Sequence, residues 1–450
     1  MPDHSSSYLS ASTLTTSYAR GLLSPVEYVE EMLKRSSKLQ PSLNAFVLVD
    51  EDRARAAARE SEKRWRAGRP LSPVDGCPVG IKDIMATADM PTQMGNPVFK
   101  GWHSGQDAAC VHALRRGGAV IFNKTVTTEF AIGYSGPTTN PFDPKRTPGG
   151  SSSGTAAAVG AGMLPVGLGT QTQGSTLRPA SFCGAVGFKP TIHAFNTAGI
   201  HPLSSTCDHL GVIGATLEDT WMIASQLSLG IGSPGYGFLN GASGELPVAV
   251  QPKKLICLYT RGWNEIDEAT RRQFNTMLQA LKEAGVEIAG KDEDPRVQAF
   301  EDALERDVDG ALDIVAYEMQ WPYRDYIARF GNKIGPRIRG LIKRADTLSP
   351  AAYTALLEKR HAIRRHCRTL LAELGADAYV TLAASGIAPR GLVSSGSRTF
   401  LTPGSWLGFP AFALPLLQTD GLPVGLQLLG EDHRDGNLFA AARWIMREFS

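Results

Sequence analysis

The sequence predicts an α/β fold, a single large domain with a mixed, mostly parallel twisted central sheet flanked by helices. Three observations carry that expectation. Short apolar runs alternate with amphipathic helical patterns along much of the chain, the order that parallel strands with helical crossovers require. The segment between Arg146 and Arg178 holds no charged side chain and is rich in Gly, Ser and Thr, yet it is interleaved with apolar material that a flexible linker has no use for. The composition, 42% apolar and 20% charged over 450 residues, is that of a globular protein with a sizeable core.

Taken in order, residues 8 to 70 read as helices. Ser24-Pro25 with Glu27 is an N-cap followed by proline at the first helical position, and Val26, Val29, Met32 and Leu33 recur at helical spacing. Arg53 to Arg66 is a second, highly charged helix. Gly76 to Ile84 is a strand-like run whose apolar residues flank one lysine, Lys82. Taken alone, that lysine reads as a snorkelling surface residue, since Lys is almost never fully buried unpaired. Val111 to Gly117 reads as a helix, Ala119 to Phe122 as a strand, and Lys124-Thr125 as the opening of the next turn. Ala156 to Leu164 carries a buried-helix pattern and Pro165 to Leu168 a strand-like one.

Further on, Thr216 to Leu227 is helical and Pro234 to Pro252 a Gly/Pro-rich loop. Leu255 to Tyr259 and Val286 to Ala289 read as strands around an amphipathic helix from Asp267 to Ala284. Arg296 to Leu374 is mostly helical and charged; Asp377 to Leu382, Phe409 to Leu417 and Val424 to Leu429 are strands, and Asn437 to Phe449 is a closing helix. The single domain 1–450 thus divides into core motifs at 76–220, a variable, largely helical substrate-side region at about 234–374, and C-terminal strands and helix at 375–450.

Lys and Arg total 46 against 44 Asp and Glu, a formal charge of +2. That balance makes no case for nucleic acid or an anionic membrane as partner and leaves a small molecule as the default. The six cysteines (77, 110, 183, 207, 257 and 367) are scattered without a C-x-x-C pair. The N-terminus has no basic segment leading into an apolar run, so a cytoplasmic protein with free thiols is expected. The longest uncharged stretch is broken by Pro165, Gln171 and Gln173, which makes it a poor membrane span. Gly167-Leu168-Gly169 lacks the third glycine of a dinucleotide fingerprint and Gly187-Phe188-Lys189 lacks the rest of a P-loop. Neither a cofactor nor a metal is expected.

The chemistry concentrates between Thr147 and Pro190, where two serines follow glycines, Ser151 and Ser175. Gly150 to Gly154 formally fits G-x-S-x-G, but a nucleophile elbow needs a strand running straight into it, and Asn140 to Pro148 is loop. Asp208 and His209, adjacent in one turn, do not both line up with one serine in a Ser-His-Asp relay and read as structural. Cys183 reads as a small buried residue. A further reading is a serine nucleophile whose base is a lysine.

At this point a resemblance becomes specific. Gly149-Gly150-Ser151-Ser152-Ser153-Gly154, followed by Gly169-Thr170-Gln171-Thr172-Gln173-Gly174-Ser175-Thr176-Leu177-Arg178-Pro179-Ala180, closely resembles the amidase signature family. Pro78 to Asp83 is similar to its lysine segment, and the likeness extends to Asn44-Ala45-Phe46, Asn123-Lys124-Thr125, Cys183-Gly184, Gly187 to Thr191 and Gly421 to Gln427. It fades from about Pro234 to Leu374. The resemblance implies a Ser-cisSer-Lys triad: Ser175 as nucleophile, Ser151 with a cis peptide bond as bridge, and Lys82 as base. It further implies an oxyanion hole from the backbone N–H groups of Thr172, Gln173, Gly174 and Ser175, each such donor being worth ~3 kcal/mol. A lysine serves as base only when neutral, so its reference pKa of ~10.4 must be drawn down by burial, and Val79, Ile81 and Ile84 supply apolar neighbours for that. The implied reaction is acyl transfer from an amide to Ser175, then to water.

The sequence departs from the family's common string T-D-T-G-G-S-I-R. Gln171 stands for the Asp, Gln173 for the first Gly, and Thr176-Leu177-Arg178 is one residue longer. Gln171, Arg178 and Ser152 are candidates for substrate binding or site support; Arg178 is read as support, and Ser152, with Ser153 and Ser181, as a loop or cap hydroxyl. The expected partner is a small-molecule amide substrate, with no nucleic acid and no membrane; a homodimer is left open. The pocket is expected from the loops at Gly133 to Pro137, the helices between about Arg296 and Lys343, and Gly396 to Trp406. Arg337, Arg339, Lys343 and Arg344 could attract an acidic substrate, but read rather as a solvated basic helix face. Two other readings stand beside hydrolysis: a glutaminase subunit of a tRNA-dependent amidotransferase, ranked lower for Gln171 and Gln173, and an inactive binding protein on the same scaffold.

Overall fold

Apolar, largely β-branched runs with no water on either face build the centre of the molecule, as buried parallel strands do. Val79, Ile81, Val120, Ile121, Val166, Leu168, Val186, Val212 and Ile213 are all buried. The computed structural model describes residues 10–231 and 244–450. Eleven strands form one sheet: β1 Phe46–Val49, β2 Pro78–Lys82, β3 Val120–Thr125, β4 Val166–Gln171, β5 Val186–Lys189, β6 His209–Gly214, β7 Lys254–Cys257, β8 Glu287–Ala289, β9 Ala378–Leu382, β10 Ala411–Thr419 and β11 Leu422–Leu429. Their order across the sheet is β1-β3-β2-β4-β6-β5-β10-β11-β9-β7-β8.

The sheet is mixed, as expected, but it is not mostly parallel. Among the described residues only β2–β3, β2–β4, β7–β8 and β7–β9 pair in parallel. The other six pairings are antiparallel. Two features produce this. β10 and β11 form a hairpin over Asp420-Gly421, whose φ angles of 51° and 74° are the two positive values a tight type I′ turn needs. And β6 runs back between β4 and β5, antiparallel to both.

Most helices fall where the pattern put them. Ser24 caps Pro25–Leu43 with a full capping box to Glu27, and Asp267 caps Glu268–Glu283. Five helices run between Pro295 and Leu374. Three expectations need correction. The strand from Val120 continues through Lys124 and Thr125, which are ladder residues rather than a turn. His209 opens β6, so Asp208-His209 is a strand entry and not one turn. Residues 8 to 70 include the strand β1 among their helices. The loop expected at Pro234 to Pro252 lies outside the described residues up to 243, and 244–252 carry no regular element. All six cysteines are free and buried. Among the described residues no helix is long and apolar enough to cross a membrane.

Close backbone approach holds the loop after the first site serine. The helix Ser153–Gly160 is buried along its whole length. At Gly154 a Cβ would lie 2.2 Å from the Ala45 carbonyl oxygen and 2.3 Å from the Val126 nitrogen, both backbone atoms that cannot rotate away. The N–H of Gly154 also donates to the Val126 carbonyl at 2.9 Å. Gly154→Ala must therefore push the helix off β1 and the end of β3. It is expected to cost about 1–3 kcal/mol of stability or more, read as a lower urea midpoint, whereas Ala156→Gly on the same helix should cost only about 1 kcal/mol.

Candidate active site

Lys82 ends β2, flanked by its parallel neighbours β3 and β4, and the carboxyl ends of parallel strands are where α/β sheets place their sites. Its side chain is not on the surface: exposure is 0%, which overturns the snorkelling reading. Nζ donates to Ser151 Oγ and to Thr170 Oγ1, each at 2.7 Å. Among the described residues no carboxylate pairs with it. The adjacent Asp83 turns instead to Lys124, 3.4 Å away, whose Nζ also donates to the Met85 carbonyl at 2.6 Å and to Thr92 Oγ1 at 2.8 Å. Burial holds the Lys82 amine well below its ordinary pKa, opposed only in part by the charge of Asp208. Two buried lysines from neighbouring strands thus have different company, one a carboxylate and the other hydroxyls alone.

Ser151 and Ser175 line one cavity of about 170 Å³, together with Gln173 and Gly174. The Gly150–Ser151 peptide bond is cis. Around it the loop is clamped: Thr128 N–H donates to the Ser151 carbonyl at 3.2 Å, and Ser152 N–H donates to the Ser175 carbonyl at 3.1 Å. Ser152 Oγ accepts from the Thr170 N–H at 3.2 Å. Arg178, buried, spends its guanidinium on the same loop: Nη2 donates to the Gly150 carbonyl at 2.6 Å and to Ser395 Oγ at 3.0 Å, and Nη1 to the carbonyls of Gly396 and Ser397 at 2.8 and 3.3 Å. Among the described residues no hydrogen bond joins the hydroxyls of Ser151 and Ser175, and none of the N–H groups of Thr172, Gln173, Gly174 and Ser175 has an intramolecular acceptor.

The two departures from the common string have separate places. Gln171 is fully buried; its Oε1 accepts from the N–H groups of Thr176 and Leu177 at 3.0 Å each, and its Nε2 donates to Ser405 Oγ at 2.8 Å. It caps the short helix Leu177–Phe182 that follows Ser175 and does not line the cavity. Gln173 does line it, and also borders an outer cavity of about 520 Å³. Thr172 lines a separate cavity of about 240 Å³ that Thr170, Asp208 and His209 share. Its hydroxyl donates to Asp208 at 2.6 Å. His209 Nδ1 is engaged by the Cys207 and Gln171 carbonyls at 2.7 and 3.1 Å, and burial keeps the ring neutral far below its ordinary pKa.

Sequence reasoning missed Thr170, the second partner of Lys82, although register could have found it: Ile81 pairs with Leu168, so the residues after them converge at the strand ends. It also missed Ser395, and it reached Arg398 only as part of the pocket stretch Gly396 to Trp406, a segment with no periodic signal. The expected pocket pieces do meet, Gly133, Ser135, Arg337 and Gly396 all lining the cavity, and Arg337 is exposed there, a solvated cation at the cavity's edge. Arg344 pairs with Asp313. Among the described residues no three His, Cys, Asp or Glu side chains group as metal ligands.

The family model for Amidase matches residues 27–439. A Glutamyl-tRNA(Gln) amidotransferase subunit from Chloroflexus aggregans is 30% identical over 473 residues, covering 96% of this chain and 94% of that one. A crystal structure of an amidase superposes with a TM-score of 0.84 at 27% identity, covering 98% of this chain and all of the other. A peptide amidase in complex with the competitive inhibitor chymostatin gives 0.79 at 25%, over 99% and 98%.

Burial of Lys82 has a measurable sign. In the unfolded chain a lysine titrates near about 10.4; folded, Lys82 releases its proton at lower pH. Between the two values the unfolded state binds more protons, so this group's contribution to stability is complete above the unfolded value and is lost as pH falls through the folded one. Lys82→Met removes the dependence. In urea unfolding, the stability of the wild type relative to the variant should climb from neutral pH toward pH 10 by up to about 1.4 kcal/mol per unit. A difference that stays flat would mean that Lys82 ionises alike in both states.

Proposed function

The chain belongs to the Amidase family, enzymes acting on amide C–N bonds, and from that premise we propose that it hydrolyses a small carboxamide through an acyl-enzyme on Ser175. One observation carries the reading: an amine without a carboxylate partner, held by burial below its ordinary pKa, 2.7 Å from a serine that shares a cavity with a second serine. With Lys82 neutral, its lone pair takes the Ser151 proton, and Ser151 in turn takes the proton of Ser175 as that oxygen attacks the carbonyl carbon. Hydrogen bonds of this kind are often long without substrate and close in the complex. The carbonyl electrons move onto oxygen, which the unspent N–H groups from Thr172 to Ser175 receive. Collapse breaks the C–N bond, ammonia or amine leaves with the proton returned through Ser151, and water repeats the sequence to free the acid.

Arg178 acts through Ser151 on this reading: its bond to the Gly150 carbonyl fixes the peptide that aims the bridging hydroxyl. A second reading has specific support, since full-length relatives are named as components of an amidotransferase. A glutaminase component of that kind would depend on its partners for activity.

Ammonia release from simple amides by the purified chain, assayed alone, separates these readings. Ser175→Ala and Lys82→Ala should each lower kcat by about 10⁴-fold or more while the fold survives. Activity that persists in Ser175→Ala would sink the acyl-enzyme, and glutamine hydrolysis seen only with partner proteins would favour the second reading.

A further inference from the structure

The cavity that holds Ser151 and Ser175 is also lined by three arginines, Arg178, Arg337 and Arg398, and, among the described residues, by no acidic side chain. Their roles differ. Arg178 spends both terminal nitrogens on the carbonyls of Gly150, Gly396 and Ser397 and on Ser395 Oγ, while its buried Nε has no acceptor among the described residues. Among the described residues the guanidinium groups of Arg337 and Arg398 have neither an ion pair nor a hydrogen-bond acceptor, whereas other arginines of the same region, Arg261 and Arg344, are paired with Glu305, Asp309 and Asp313. The three cations also repel one another. Arg178 is pushed down to about 9 by burial, with Arg398 and Arg337 adding to it, and Arg398 to about 10 by burial and Arg337.

Arg337 is exposed and Arg398 half-buried, so their unpaired guanidinium groups are open to an anion entering the cavity, and their planar forks suit a carboxylate in particular. Arg337 reaches the cavity from the start of the helix Pro336–Ala345 and Arg398 from the segment before Thr402–Leu407. Two separate parts of the chain therefore deliver free donors to the space in front of Ser175. Resting on the hydrolase reading above, we propose that the substrate amide carries a carboxylate, which Arg337 and Arg398 bind while the amide carbonyl meets Ser175.

The test compares succinamic and glutaramic acids, the monoamides of two short dicarboxylic acids, with butyramide and valeramide, in which a methyl group replaces the carboxylate. The expected result is a preference in kcat/KM of about 30-fold or more for the acidic amides, reduced toward unity in Arg337→Ala and in Arg398→Ala, with both variants shown by circular dichroism and thermal melting to be folded. Equal turnover of acidic and neutral amides would overturn the clamp and leave the hydrolase intact. Should no amide be cleaved, succinate titrated calorimetrically into the wild type and into Ser175→Ala decides: binding that both arginine variants lose supports the anion site although the hydrolase fails, and no binding overturns the site as well.

Discussion

An amine in a dry place with only hydroxyls for company is the constraint around which this molecule is arranged. Desolvation penalises the ammonium form, and a carboxylate partner would restore it. Lys124, one strand away, is given that partner in Asp83; Lys82 is not. Keeping Asp83 off its neighbour is a matter of side-chain direction at the end of β2, since successive side chains point to opposite sides. Gln171 belongs to the same logic. Its neutral amide caps the helix after Ser175 without adding a negative charge near the lysine.

The scaffold answers to the position of that amine. β2 lies between two parallel neighbours, so its last residue arrives at the mouth of the sheet beside the end of β4 and the loop that leads to Ser175. The loop bearing Ser151 crosses from the other side and has no strand to hold it. Hydrogen bonds from Thr128, Ser152 and Arg178 take that place, and Gly154 lets the following helix press directly on the backbone of Ala45 and Val126. Positive charge then accumulates at the cavity: Arg178 is committed to the loop, while Arg337 and Arg398 face the space a substrate enters.

Much of this was legible before any coordinates. The α/β class and the capped helices follow from apolar periodicity and cap residues, whereas the meeting of Lys82, Ser151 and the Ser175 loop was implied by the resemblance to the amidase signature family and not by the residues alone. What was not legible has physical reasons. Strand direction is set by pairing partners distant in sequence, so an expected parallel bias gave way to the β10–β11 hairpin and the return of β6. β5 and β6 contain glycines and lack the alternation that marks half-buried strands. Thr170 looked like one more small polar residue until register brought it to the lysine. Arg398 lies in a Gly/Ser segment with no period, and helix patterning, which put Arg337 on an exposed face, cannot say that this face borders the cavity.

The central claim is that the proton of Ser175 leaves through Ser151 to a neutral Lys82. The rate at which a sulfonyl fluoride modifies Ser175, followed by mass spectrometry across pH, measures it directly. The account predicts a rate that rises as the buried amine loses its proton, at a pH well below that of a free lysine, and that becomes slow and insensitive to pH in Lys82→Ala. Modification of Ser175 at the same rate and with the same pH profile in Lys82→Ala would contradict it.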